Sequence, residues 1–250
     1  MNKRSLFFWV PNFITAMNLV AGCMAVWSGI EGELGMAALF ILAASVFDFM
    51  DGLFARLLKS YSEIGKQMDS LADLVSFGVA PAAILLRILQ QSMFPEAMSV
   101  SEIEATPLQW ILLFSVLLVP MAGAFRLAKF NIDTRQSDSF LGLPIPANAM
   151  FYASLGLILD FGKSAAVHAL ILNPVFIAAT ILLFPSLMIS EIPMFSLKIK
   201  NFAWDRNQVR FLFLGLCVIL ILSLQIYSLP LIIISYILIS LLMAIPGRKI

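Results

Sequence analysis

Long apolar runs dominate this chain and leave little choice of solvent. Eight of them run roughly from 11–30, 35–58, 67–90, 107–129, 145–160, 165–185, 208–225 and 229–246. A bilayer-crossing helix needs about 20 mostly apolar residues, and all but the fifth run come close to that length. The chain is 61% hydrophobic and 12% charged, whereas a soluble domain is about 45–50% apolar and about 25% charged. These runs predict an all-α integral membrane protein with about eight transmembrane helices. No repeat, low-complexity tract or long linker divides it, so residues 1–250 read as a single polytopic membrane domain.

Lys3 and Arg4 ahead of an apolar stretch resemble a secretory leader. The stretch is too long for one and contains Pro11 and Asn12, so it reads as an uncleaved first span. If the N-terminus is cytoplasmic and the runs alternate, every basic residue except Arg87 and Lys163 falls on the cytoplasmic side. The opposite loops carry Glu31, Glu33, Glu96, Glu102, Glu104 and Asp160. That asymmetry is the positive-inside pattern. It predicts both termini in the cytoplasm of a multi-pass cell (inner) membrane protein.

The net charge of +1 gives no field for nucleic acid. His168 is the single histidine, which excludes a histidine cluster, and it reads as an interfacial residue at a helix start. Cys23 and Cys217 lie inside apolar runs without metal-ligand spacing and read as packing residues. The apolar and basic mixture over 191–206 suits a stretch lying on the membrane surface.

Four aspartates stand out because acids are expensive in a bilayer and are functional by default. Asp48 and Asp51 lie near the cytoplasmic end of the second run, and Asp69 and Asp73 in the first turns of the third. Spacings of three and four place each pair on one helix face. A short loop joins the two antiparallel helices, so the pairs reach similar depth. Four facing carboxylates repel one another in a low dielectric. Oxygen-only ligands relieve that by binding hard cations such as Mg²⁺, Mn²⁺ or Ca²⁺, and four acids suffice to share two. Gly52 and Ala55 leave one face nearly bare below the acids, Arg56 offers a cation to phosphate, and Gly65 permits close approach at the start of the third helix. This arrangement suits a metal-bound pyrophosphate at the cytoplasmic interface.

The pattern Asp48, Asp51, Gly52, Ala55, Arg56, Gly65, Asp69 and Asp73 resembles the signature of the CDP-alcohol phosphatidyltransferase family at all eight fixed positions. The resemblance implies a helical membrane enzyme, usually a homodimer, with two divalent metal ions held by the four aspartates. Asp48, Asp51 and Asp69 are then chiefly metal ligands, and Asp73 is the base and also touches a metal. Gly52, Ala55, Arg56 and Gly65 line the CDP site. Core spans would cover roughly 11–185, with extra C-terminal spans over roughly 208–246.

Further stretches resemble the family's serine-accepting members. Pro11-Asn12 with Thr15 and Asn18 opens the first run and adds Asn12 and Thr15 to the CDP site. Asp69 to Ala82, Arg126-Leu-Ala-Lys129-Phe-Asn131, Gly142-Leu-Pro144-Ile-Pro146-Ala, and the segment from Leu187 through Ile192-Pro193 to Lys198 are similar to the same group. The resemblance thus implies CDP-diacylglycerol and L-serine as substrates. Arg126, Lys129 and Asn131 are candidates for the serine carboxylate or the lipid phosphate, although positive-inside anchoring also explains the two cations. Gly142, Pro144 and Pro146 also suit a simple re-entry into the fifth run. Two alternatives stay open. One is a sibling enzyme that accepts glycerol 3-phosphate or an inositol phosphate. The other is a divalent-cation transporter, disfavoured because the acids occupy only one side.

Overall fold

A computed structural model describes residues 9–96, 102–132, 140–195 and 204–244. Helix α1 (Trp9–Glu31) carries Pro11 in its first turn, where the missing donor costs nothing. Gly32, at φ 89°, turns the chain into α2 (Leu34–Leu57). Asp160, from another helix, accepts from Gly35 N at 2.6 Å and satisfies a free donor at the start of α2. Ser62 then caps α3 (Glu63–Asp73) by accepting from Gly65 N at 2.9 Å.

Directly after Asp73 the helix widens into one π turn, Leu74–Val79, before continuing as α4 (Ala80–Met93). Ala80 N donates five residues back to Val75 O. Pro81 follows without an N–H, so an ordinary α ladder could not run through this point. Thr106 and Gln109 form a capping box for α5 (Pro107–Phe114), which passes through a 3₁₀ turn into α6 (Leu118–Ile132).

Gly142, at φ 74°, bends the chain from a two-residue strand β1 (Phe140–Leu141) into α7 (Ile145–Phe161). Gly142 N and Leu143 N donate to Ile192 O and Leu187 O, both at 2.9 Å. The Gly142–Pro144 turn therefore docks on the end of a later helix and shapes the re-entry. The sixth apolar run is broken. Helices α8 (Ala165–Ile171) and α9 (Pro174–Ile189) meet at 59° because Asn173 caps α9 and Pro174 opens it. Strand β2 (Pro193–Met194) pairs antiparallel with β1, Phe140 opposite Met194.

The last apolar stretch, Asn207–Ala244, is 38 residues long. It folds back on itself. The rings of Phe213 and Tyr236 lie 6.1 Å apart, whereas 23 residues of straight helix would separate them by about 35 Å. The reversal is at Gln225, φ 50°, so α10 (Trp204–Leu224) and α11 (Ser228–Ala244) form a hairpin. Among the described residues, five stretches suffice by length and composition to cross a bilayer, or six with the bent pair. The 17-residue α7 is about 26 Å long, slightly short of a hydrocarbon core of about 30 Å.

Small residues set the helix spacing, as expected where lipid gives no hydrophobic drive between helices. A Cβ on Gly22 would lie 2.3 Å from Ser76 Oγ, and one on Gly156 3.0 Å from Leu34 O. Leu34, Ile41, Ile84, Leu85 and Tyr152 are fully buried at the centre, while Trp27, Phe49 and Leu222 cover the outside. Cys23 is exposed on that outer surface, not packed inside. His168 Nε2 is bonded to Ile158 O at 2.9 Å.

Candidate active site

The α2–α3 hairpin brings the acids together. Asp48, Asp51 and Asp69 each place a carboxylate oxygen within 4.8 Å of the others. Asp73 stands apart from this trio but within electrostatic range of all three. Asp51 and Asp73 are buried, and none of the four has an ion-pair partner among the described residues.

Helix α1 holds two of them from behind. Thr15 Oγ1 lies 2.6 Å from Asp51 Oδ2 and 3.0 Å from Pro11 O. The hydroxyl has one proton, and the shorter, charge-assisted contact to the carboxylate takes it. Asn18 Nδ2 donates to Asp73 Oδ1 at 3.1 Å, and Ser76 Oγ donates to Asn18 O at 3.0 Å. The π turn places Ser76 against α1 and thus frames Asp73.

Beside the trio is a cleft of about 500 Å³, walled by α1, the α2–α3 loop and the start of α3. Asn12, Thr15, Gly52, Ala55 and Gly65 line it together with Asp51 and Asp69. A Cβ added to Gly52 would meet nothing within 4 Å, so the backbone is open to the cleft there. Arg56 is exposed and is absent from the wall. The cation in that wall is Lys66, accompanied by Ser60, Tyr61, Ser62 and Glu63. These five fall in variable positions of the signature, where residue type alone gave no reason to choose them.

The three candidates at the end of α6 divide. Arg126 is buried, lies within electrostatic range of Asp73, and has an Nε without a partner. Lys129 is paired with Glu191 at 2.8 Å. Asn131 Nδ2 donates to Ser70 Oγ at 2.9 Å, and its carbonyl accepts from Lys66 Nζ at 3.1 Å, which ties α6 to α3. Of the three, Arg126 is the one within electrostatic range of Asp73.

A cluster of oxygen donors without a neutralising cation, with Asp69 Oδ1 buried and unbonded, fits a hard divalent ion. An open glycine backbone beside it suits a bulky anionic ligand.

Comparison with known proteins agrees with this geometry. The model of the CDP-alcohol phosphatidyltransferase family matches residues 8–185. A CDP-diacylglycerol–serine O-phosphatidyltransferase of Bacillus subtilis (strain 168) is 33% identical over 142 residues, 57% of this chain and 72% of that protein. One of Helicobacter pylori (strain J99) is 37% identical over 142 residues, 56% of this chain and 54% of its own length. An archaetidylserine synthase of Methanothermobacter thermautotrophicus is 29% identical over 185 residues, 72% of each chain. The chain spans about half the length of the Helicobacter relative. With the signature acids converging and the family match covering most of its length, the chain belongs to the CDP-alcohol phosphatidyltransferase family.

Proposed function

We propose that the protein transfers the phosphatidyl group of CDP-diacylglycerol to the hydroxyl of L-serine, releasing CMP. The observation that carries this reading is the Asp48, Asp51 and Asp69 trio opening on a cleft with a bare Gly52. The names of the similar proteins supply the acceptor.

In this reading Asp48, Asp51 and Asp69 hold two divalent ions, Mg²⁺ or Mn²⁺ or else Ca²⁺, and Asp73 completes the set. Bound there, such ions neutralise pyrophosphate charge and act as Lewis acids. Asn12, Thr15, Gly52, Ala55 and Gly65 wall the nucleotide site, with Lys66 as its cation. Arg56 is assigned to that site by the signature alone. Asp73 takes the proton of the serine hydroxyl, whose oxygen attacks the phosphorus bearing diacylglycerol. The bond to CMP breaks, and CMP carries away its phosphate. Asn18 fixes the orientation of Asp73 for this step. Arg126 takes the acceptor carboxylate or the lipid phosphate, while Lys129 and Asn131 brace α6. The same reading places the acids at the cytoplasmic face of the cell membrane, in a homodimer.

The test is CMP release from purified protein in detergent with CDP-diacylglycerol, Mg²⁺ or Mn²⁺, and a panel of alcohols. Release with serine, abolished by EDTA, is expected. Asp48→Asn and Asp73→Asn should each lower turnover by about 10²–10⁴-fold with an unchanged melting temperature. Release only with glycerol 3-phosphate or an inositol phosphate overturns the acceptor. Folded protein that releases no CMP with any alcohol overturns the enzyme reading in favour of cation transport.

A further inference from the structure

Asn148 is fully buried in the first turn of α7, and neither its Oδ1 nor its Nδ2 has a partner among the described residues. A buried amide left unbonded costs about 1–3 kcal/mol for each unmet group. The other buried polar side chains of α7 are satisfied. Tyr152 donates to Thr180 O, and Ser154 to Phe151 O. The backbone of Asn148 is also satisfied, through Pro144 O at 3.1 Å. Its side chain alone is unmatched by protein.

Two sets of contacts locate it. The end of α7 lies on the start of α2, with Asp160 on Gly35 N and Gly156 against Leu34 O, and its start lies beside Leu74 at the acid end, so α2 and α7 run antiparallel. Counting back at about 1.5 Å per residue, Asn148 comes level with the turn of α2 that leads into Asp48. A Cβ on Gly123 would meet Ile145 Cδ1 at 2.7 Å and Leu74 Cδ1 at 3.8 Å. Ile145 lies one turn before Asn148, Leu74 follows Asp73, and Gly123 lies one turn before Arg126. Asn148 thus belongs to the acid-bearing end of the bundle, on helices that do not wall the nucleotide cleft. The Arg126 Nε and the Asn18 Oδ1 are likewise buried without partners around Asp73.

We infer that Asn148 is a specificity-determining residue for a small zwitterionic acceptor bound on the Asp73 side of the acids, opposite the nucleotide cleft. The inference rests on the serine reading above and assigns the residue that would enforce it. An amide presents one acceptor and one donor group. Its Oδ1 takes a hydrogen bond from an ammonium and its Nδ2 gives one to a carboxylate, while Arg126 supplies the charge that carboxylate needs. A phosphorylated alcohol brings hydroxyl donors but no ammonium, so Oδ1 gains no charge-assisted bond from it, and its phosphate can use Nδ2 alone.

The experiment measures CMP release and melting temperature for wild type, Asn148→Leu, which keeps volume, and Asn148→Ala. The expected result is a serine KM raised about tenfold or more in both variants. The KM for CDP-diacylglycerol should stay unchanged, and the melting temperature of Asn148→Leu should not fall, because the leucine removes two unmet polar groups. A purely structural amide would lower the melting temperature and leave the two KM values in proportion. If one variant does not fold, the other carries the reading. Wild type that uses serine, with an unchanged serine KM in a folded variant, overturns this inference alone. Wild type that uses a phosphorylated alcohol and refuses serine overturns the serine reading and this inference together.

Discussion

Gly52 and Gly65 look alike in the sequence, two small residues of one signature, yet their surroundings are opposite. A side chain at Gly52 would enter open space, whereas a Cβ at Gly65 would meet Asn12 Oδ1 and Ser62 Oγ, both at 2.8 Å. Gly52→Val should therefore leave the melting temperature unchanged and raise the KM for CDP-diacylglycerol, by about tenfold if one good contact is lost. Gly65→Ala should push Ser62 from its capping position and lower stability by about 1 kcal/mol. Thermal melts and substrate titrations on the two variants separate the cases. The need for small residues was legible from the signature. Which of them guards ligand space and which guards a helix start depends on α1, many residues away.

At the scale of elements, the contact between α1 and the π turn matters most. Gly22 lets Ser76 approach α1, Ser76 donates to Asn18 O, and Asn18 donates to Asp73. Gly22→Val would put a carbon 2.3 Å from Ser76 Oγ and 2.9 Å from Ser76 Cα, so the helices must part. The expected cost is about 1–3 kcal/mol of stability, with turnover falling further than Asp73-independent steps such as CDP-diacylglycerol binding. Melting temperature, kcat and KM for the lipid together check this. Hydropathy located the helices well, because lipid solvation writes itself directly into composition. It could not show the π turn, which shifts the ladder by one residue without changing apolar content. Nor could it show the 59° bend between α8 and α9, since Asn173-Pro174 lies inside an otherwise apolar run. Lys66 was equally hidden, because it falls in a variable position of the signature and joins the cleft wall only once α3 is in place.

Among the described residues, Arg56, Lys66, Arg126 and Lys129 lie on the elements that form the acid-bearing end. The proposed cytoplasmic orientation of the site, read from the positive-inside pattern, can be tested directly. In a chain with Cys23 and Cys217 replaced by alanine, Tyr61→Cys in the α2–α3 loop should react with a membrane-impermeant maleimide in inside-out vesicles only. Glu96→Cys, beyond α4, should react only from the other face. Both positions are exposed, and the reverse labelling pattern would overturn the orientation. The C-terminal hairpin lies beyond the family match, yet it is joined to the rest. Tyr236 donates to Phe195 O at 3.2 Å, and Phe195 N donates to Ser240 Oγ at 3.4 Å.

The bonds from Thr15 and Asn18 to Asp51 and Asp73 also bear on how the protein is made. As the chain leaves the ribosome, α1 enters the lipid ahead of α2 with a hydroxyl and an amide still waiting. Helix α2 follows with two carboxylates in the second half of its 24 residues, and an aspartate opposes insertion by up to about 2.5–3.5 kcal/mol, the value at a helix centre. The partners that α1 carries lower that barrier only if it stays beside the translocation channel until α2 and α3 arrive. The expected consequence is that the first three helices partition into the bilayer as a set, with α1 shielding the acids it later holds.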